Sequence, residues 1–156
     1  MKGMFELRDA SDLLNKLHKE YELMQREPTN VYCAFNFFVT AEHLLDWLYP
    51  GKVSKTKREQ VRDGSVLLQI CSHIANGAKH FEVQAKHHQS VSDTVRYRSS
   101  FSGRLFAGRL FSGQLFPKDR LVIHLKGDAE QSFGHSISVL ELAAKILDYW
   151  DNYPDL

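Results

Sequence analysis

The sequence predicts a mainly α-helical fold, a bundle of about four helices with a β-hairpin or strand inserted between the third helix and the last. Apolar residues recur at the three- and four-residue spacing of helices in four separate stretches. That period disappears from about residue 84 to residue 116, and an alternating, β-branched stretch follows. The 156 residues, of which 43% are hydrophobic and 25% charged, can bury a sizeable core, so we expect one domain over residues 1–156.

The four helices are expected at about 9–27, 31–49, 57–80 and 137–152. A polar residue precedes each apolar stripe at the position of an N-cap, and these residues are Asp9, Asn30, Thr56 and Ser138. In the third and fourth helices an acid three residues later, Glu59 or Glu141, completes the spacing of a capping box. Pro28 and the Pro50-Gly51 pair end the first two helices, because proline cannot continue a helix.

A β-rich insertion is expected at about 93–127. It contains three near-identical pentads that begin at Phe101, Phe106 and Phe111, and then a strand from Arg120 to Lys126 with a turn at Gly127-Asp128. Because side chains alternate along a strand, an odd period sends successive phenylalanines to opposite faces. The pentads are therefore either a two-faced strand or hairpin packed on the bundle or a second copy, or an arginine-aromatic surface for single-stranded nucleic acid.

The net charge of +1 conceals a basic segment. Residues 86–126 hold eight Lys and Arg but only two acids. Such segregation suits a phosphate-bearing partner, although docking on acidic helices of the protein itself would explain it equally well. In the first interpretation the arginines that contact phosphates are Arg96, Arg98, Arg104 and Arg109.

The end of the third predicted helix places polar groups in an apolar run. If the helix continues past Gly77, His73, Asn76 and His80 share one face. His80 would then act as a general base at a ribose 2′-hydroxyl, with Asn76 beside it and Lys79 or Arg62 as the cation for the phosphate. The alternative is a structural helix end, in which Lys79 and His80 complement the helix dipole.

Two helices carry a family resemblance. The run 36–48, with the pattern N-F-x-V-T-A-x-H-L-x-D-W, and the run 75–81, with A-N-G-x-K-H-F, resemble a group of small uncharacterised bacterial and phage proteins. More distantly, Asn76 and His80 resemble the motif of the HEPN superfamily, helical domains that include metal-independent ribonucleases of toxin and defence systems. The resemblance implies an RNA-binding or RNA-cleaving bundle. The position of the family's phosphate-contacting arginine falls on Ala75.

His43 and Asp46 lie three residues apart on the second helix. They could add to the same site across the bundle, or form a buried hydrogen bond that only ties helices together. His43, Asp46, His73 and His80 could together form a metal site, but the sequence has no H-x-x-x-H or E-x-x-H pair to anchor it. We therefore expect no cofactor.

The cysteines and the length of the apolar runs predict the compartment of the protein. The two cysteines lie on apolar helical faces, and no apolar run approaches the length of a membrane span, so we expect a cytoplasmic protein with reduced cysteines and no membrane partner. The expected partners are RNA or another phosphate-bearing ligand and a second copy in a homodimer. The alternative function is a non-enzymatic homo-oligomeric interaction protein, in which the Phe-Gly-Arg-Leu repeats bind protein.

Overall fold

The computed structural model describes residues 5–79, 89–98 and 119–156. Over these residues the chain is mainly helical with a small antiparallel sheet. The helices are α1 (Ala10–Arg26), α2 (Val31–Leu48), α3 (Lys55–Asp63), α4 (Val66–Lys79), α5 (Asp128–Phe133) and α6 (Val139–Asp151), with a short 3₁₀ helix at Lys52–Ser54. The strands are β1 (Val91–Tyr97), β2 (Arg120–Leu125) and β3 (Ser136–Ser138).

Three of the predicted N-caps are confirmed. The Asp9 carboxylate accepts a hydrogen bond from the backbone N–H of Asp12 at 3.1 Å at the start of α1. At the start of α6, the Ser138 hydroxyl accepts one from the N–H of Glu141 at 3.2 Å. Asn30 accepts from the first turn of α2 in the same way. Each cap satisfies a backbone donor that has no partner within its own helix.

The third predicted helix is two helices, because the chain turns at Gly64-Ser65. The N–H of Gly64 closes α3, and the Ser65 hydroxyl accepts a hydrogen bond from the N–H of Leu68 at 3.4 Å at the start of α4. The predicted capping box at Thr56 is wrong, since α3 begins at Lys55 and Ser54 holds the cap position without a side-chain bond.

The segment before α6 is more structured than the sequence predicts. The expected turn at Gly127-Asp128 is the start of α5, entered through Gly127 at a φ of 60°, a conformation that favours glycine. Strand β3 then occupies Ser136–Ser138, which the sequence does not predict as a strand and which overlaps the start of the helix expected at about 137–152. Of the expected β-rich insertion, residues 99–118 with the pentads lie outside the described residues.

The sheet has the order β1-β2-β3, with both pairs antiparallel. Val95 of β1 lies opposite Val122, and Ile123 of β2 lies opposite Ile137 of β3. The register of the first pair shifts between Val91 and Asp93. Strand β2 is therefore central and mostly buried, whereas five of the seven residues of β1 are exposed.

One hydrophobic cluster joins the helices to the inner face of the sheet. It takes fully buried side chains from α1, α2, α4, β2 and α6, the largest being Trp150, Phe37 and Phe38. Burying each such side chain stabilises the fold by about 1.5 to 3 kcal/mol. Both cysteines are free, as predicted, and burial raises the pKa of the Cys71 thiol well above its usual value. None of the described helices has the length and apolar composition needed to cross a membrane.

Candidate functional site

Asn76, a residue of the predicted helix-end site, is bound within its own helix. Its side-chain nitrogen donates to the Ser72 backbone carbonyl at 2.8 Å and lies 3.3 Å from the Ser72 hydroxyl. The Ser72 hydroxyl in turn donates to the Glu42 carboxylate at 3.1 Å. The amide nitrogen of Asn76 therefore forms a hydrogen bond within α4, next to the Ser72–Glu42 bond that connects α4 to α2.

Arg62, the predicted cation, forms a partly buried ion pair with Glu42. A guanidinium nitrogen lies 2.6 Å from a Glu42 carboxylate oxygen, and the side chains of Arg62 and Glu42 are 25% and 13% exposed. Burial raises the pKa of Glu42, while the charge of Arg62 opposes that rise. The positive charge of Arg62 is thus largely compensated by a carboxylate of the protein itself.

His43 and Asp46 are both exposed, so the expected buried hydrogen bond between them is wrong. Asp46 pairs instead with Arg58 of α3, at 3.0 Å between the carboxylate and guanidinium groups. Helix α3 buries none of its own residues. Two arginines one turn apart, Arg58 and Arg62, therefore attach α3 to two acids one turn apart on α2.

His73 faces the sheet. Its Nδ1 accepts a hydrogen bond from the N–H of Val91 at 3.1 Å and lies 3.3 Å from the Ser90 hydroxyl. His73 thus connects α4 to the start of β1, which is a structural task.

Lys79 is the last residue of α4, and its side chain and the whole of His80 lie outside the described part of the chain. The predicted roles of His80 as the general base and of Lys79 as the cation for the phosphate therefore stay predictions. Ala75, at the position of the arginine in the HEPN motif, is buried at 8% exposure. In the described ranges 5–79, 89–98 and 119–156, no group of His, Cys, Asp and Glu is arranged to hold a metal ion.

A large groove lies between α2, α4 and β1, and we call it the α2–β1 groove. Its volume is about 690 Å³. Its walls are the N-terminal half of α2, the C-terminal half of α4 and nearly the whole of β1, with β2 behind them. The lining is mostly apolar, with a few polar groups, and includes Val31, Phe35, Phe38, His73, Ile74, Thr94, Val95 and Arg96.

The rim of the α2–β1 groove combines exposed aromatic and basic side chains. Phe35 is 46% exposed, and its helix neighbour Tyr32 is 77% exposed. Across the groove the exposed Arg96 donates to the Thr29 carbonyl at 2.8 Å, which joins β1 to the start of α2. Arg98 follows the strand and is also exposed.

Strand alternation divides the basic residues of this region. Arg96 projects from the face of β1 opposite to that of Tyr97, whose ring lies 5.8 Å from the Arg120 guanidinium. The predicted phosphate-contacting residues Arg104 and Arg109 lie outside the described residues. Two of the four predicted arginines therefore stand at the groove, or directly after the strand that lines it.

Sequence reasoning missed the aromatic half of this rim. Val31 and Phe35 continue the helical spacing of the apolar residues of α2, so the sequence favours a buried position for both, but both are exposed. The signal that could have found them is the width of the apolar face of α2, which extends to Tyr32 and exceeds what one packing surface covers.

Comparison with known proteins gives no match: no protein-family model, no curated protein and no solved structure matches this chain.

Proposed function

We propose that the protein binds single-stranded RNA in the α2–β1 groove. The observation that carries this proposal is the rim, where Phe35 and Arg96 line the same groove and Tyr32 stands beside them. Unpaired bases would stack on Tyr32 and Phe35, and phosphates would contact Arg96 and Arg98.

The physical basis is the way single strands are bound in general. An aromatic face accepts any base, and each stacked base contributes about 1 to 3 kcal/mol. A neighbouring arginine neutralises the backbone charge between stacked bases. A duplex offers no exposed base faces for stacking, so single strands are the expected ligand.

The proposed activity is binding, and two pairings support this choice over cleavage. Arg62 is neutralised by Glu42, and the amide of Asn76 donates to Ser72. Neither group is offered to a phosphate in the described part of the chain. A HEPN-like ribonuclease would need His80 with another cation.

The direct test is fluorescence anisotropy with a labelled oligouridine of about 12 nucleotides at low salt. Arg96→Glu is expected to weaken binding about tenfold or more, because it replaces an attractive charge by a repulsive one. Lys55→Glu is the matched control, since it makes the same charge change at an exposed residue of α3 that does not line the groove. Equal losses of RNA affinity in both variants would mean that only the net charge of the protein matters, and would contradict the proposed site.

A second pair of variants tests the aromatic half of the rim. Phe35→Ala should weaken binding about tenfold through lost stacking. Leu23→Ala is the control, because Leu23 has the same 46% exposure on α1 and does not line the groove. If Phe35→Ala binds RNA as well as the Leu23→Ala control does, bases do not stack on Phe35.

A protein-interaction module is the second candidate function. Val31, Tyr32 and Phe35 are large apolar or aromatic residues exposed side by side on α2, and such patches are common at protein interfaces. The anisotropy experiment separates the two functions. Failure of the unmodified protein to bind oligouridine at any salt concentration would leave this second candidate.

A further inference from the structure

The Arg96 side chain is anchored at the start of α2. Its Nη2 donates to the Thr29 carbonyl at 2.8 Å, a contact between residues that are 67 positions apart in the chain. Arg96 is exposed and lines the α2–β1 groove. An exposed arginine without an anchor samples many rotamers, and ordering it when a ligand binds costs free energy. An arginine that is already held in place therefore binds a phosphate at lower cost.

The anchor is a backbone carbonyl whose direction is fixed by its own turn. The peptide group that carries the Thr29 carbonyl also carries the N–H of Asn30, and this N–H donates to the Glu27 backbone carbonyl at 3.0 Å. In a trans peptide the N–H and the C=O point in opposite directions. With the N–H turned towards Glu27, the Thr29 carbonyl points the other way, and there it meets Arg96.

The Asn30 side chain holds this turn from both sides. Its Oδ1 accepts hydrogen bonds from the backbone N–H groups of Tyr32 at 2.9 Å and Cys33 at 3.4 Å. Its Nδ2 donates to the Glu27 carboxylate at 2.6 Å. The side chain thus connects the residues before α2 to the first turn of the helix. Alanine at this position would release both connections and leave the Thr29 peptide group free to rotate.

The guanidinium group of Arg96 can bind two acceptors at once. It has five N–H donors in one plane. The bond to the Thr29 carbonyl uses one of its nitrogens as the donor, Nη2, so the same group can hold this carbonyl and a phosphate together. Holding the plane also matters, because a guanidinium matches a phosphate through two parallel N–H groups rather than as a point charge.

We propose that Asn30 is a positioning residue for RNA binding in the α2–β1 groove: by fixing the Thr29 carbonyl, it holds the Arg96 guanidinium ready for a phosphate. Asn30 does not itself contact the RNA, and this role rests on the proposed function of the groove. It serves the phosphodiester backbone of the ligand, so it does not depend on the base sequence.

A double-mutant cycle tests whether Asn30 acts through Arg96. Asn30→Ala should weaken oligouridine binding about fivefold, because the guanidinium must then be ordered when the RNA binds. In an Arg96→Gln background the same change should have less than about a twofold effect, since no guanidinium is left to position. Equal factors in the two backgrounds would show that Asn30 acts independently of Arg96 and would overturn the proposal.

Two further variants control for the loss of a helix cap. Asn30→Ser keeps a hydroxyl that can cap α2, and it should bind within about twofold of the unmodified protein. Ser65→Ala removes the hydroxyl that accepts from the N–H of Leu68 at the start of α4, and Ser65 does not line the groove. Ser65→Ala should leave binding unchanged, with circular dichroism checking that each variant is folded. Equal losses of affinity in Asn30→Ala and Ser65→Ala would contradict a role in positioning.

NMR of the Arg96 guanidinium tests the anchor without RNA, with Arg96→Gln used to assign its signals. Rotation of the guanidinium about its Nε–Cζ bond should be slower in the unmodified protein than in Asn30→Ala, because the bond to the Thr29 carbonyl restrains it. Equal rotation rates would overturn the role of Asn30, and so would oligouridine binding that Asn30→Ala leaves unchanged. Failure of the unmodified protein to bind oligouridine would instead contradict the proposed function, and this role with it.

Discussion

The two ends of α2 differ in how completely their side chains are paired. At the C-terminal end, Glu42 and Asp46 each bind an arginine of α3. At the N-terminal end, Tyr32 and Phe35 are exposed beside an open groove. The same helix thus has one end at which charges neutralise each other and another at which apolar and aromatic side chains are exposed.

The difference separates residues that hold the fold from residues that can bind a ligand. Chemically versatile side chains concentrate at the C-terminal end, but burying them without partners would be costly, so they pair with one another. An exposed apolar patch also costs free energy, and it is commonly retained where a partner covers it. The unpaired end is therefore the better candidate for function.

The largest effect is expected from breaking the pair between Glu42 and Arg62. Arg62→Met leaves the Glu42 carboxylate largely buried without its cation and should lower the free energy of unfolding by about 3 kcal/mol. Glu42→Gln leaves Arg62, which still reaches water, and should cost much less. Urea unfolding of both variants measures this asymmetry. Equal, small losses of unfolding free energy in the two variants would mean that the pair between Glu42 and Arg62 does not attach α3 to α2.

A smaller effect is expected from pH. Burial raises the folded-state pKa of Glu42 above its ordinary value of 4.5, so the folded state binds this proton more tightly than the unfolded state. The resulting stabilisation is complete below pH 4.5 and is lost as the pH rises through the folded-state pKa. Relative to the unmodified protein, Glu42→Gln should therefore gain stability as the pH rises above 4.5. Urea unfolding across that range measures the difference, and a constant difference would contradict the raised pKa.

The sequence predicted those features of the helices that depend only on residues close together in the chain. Asp9, Asn30 and Ser138 cap helices as expected, because a cap needs only residues a turn away. The break at Gly64-Ser65 was missed because the apolar stripe continues across it. Strand β3 was missed because three residues preceding a helix have no period of their own, and only pairing with β2 makes them a strand.

The site was harder to predict than the fold, for a physical reason. The sequence identifies Arg62 as a cation, but not that Glu42 of another helix lies against it. Pairing across helices depends on tertiary packing. Arg96 and Arg98 were predicted from charge alone, and both are exposed, but the sequence does not indicate that Arg96 donates to the distant Thr29 carbonyl.

The most direct test of the central claim is photocross-linking of a 4-thiouridine oligonucleotide, with the attached peptides identified by mass spectrometry. Binding in the α2–β1 groove predicts cross-links at Tyr32 or Phe35, and their loss in the Arg96→Glu variant. Cross-links confined to α3, at the paired end of α2, would contradict the account.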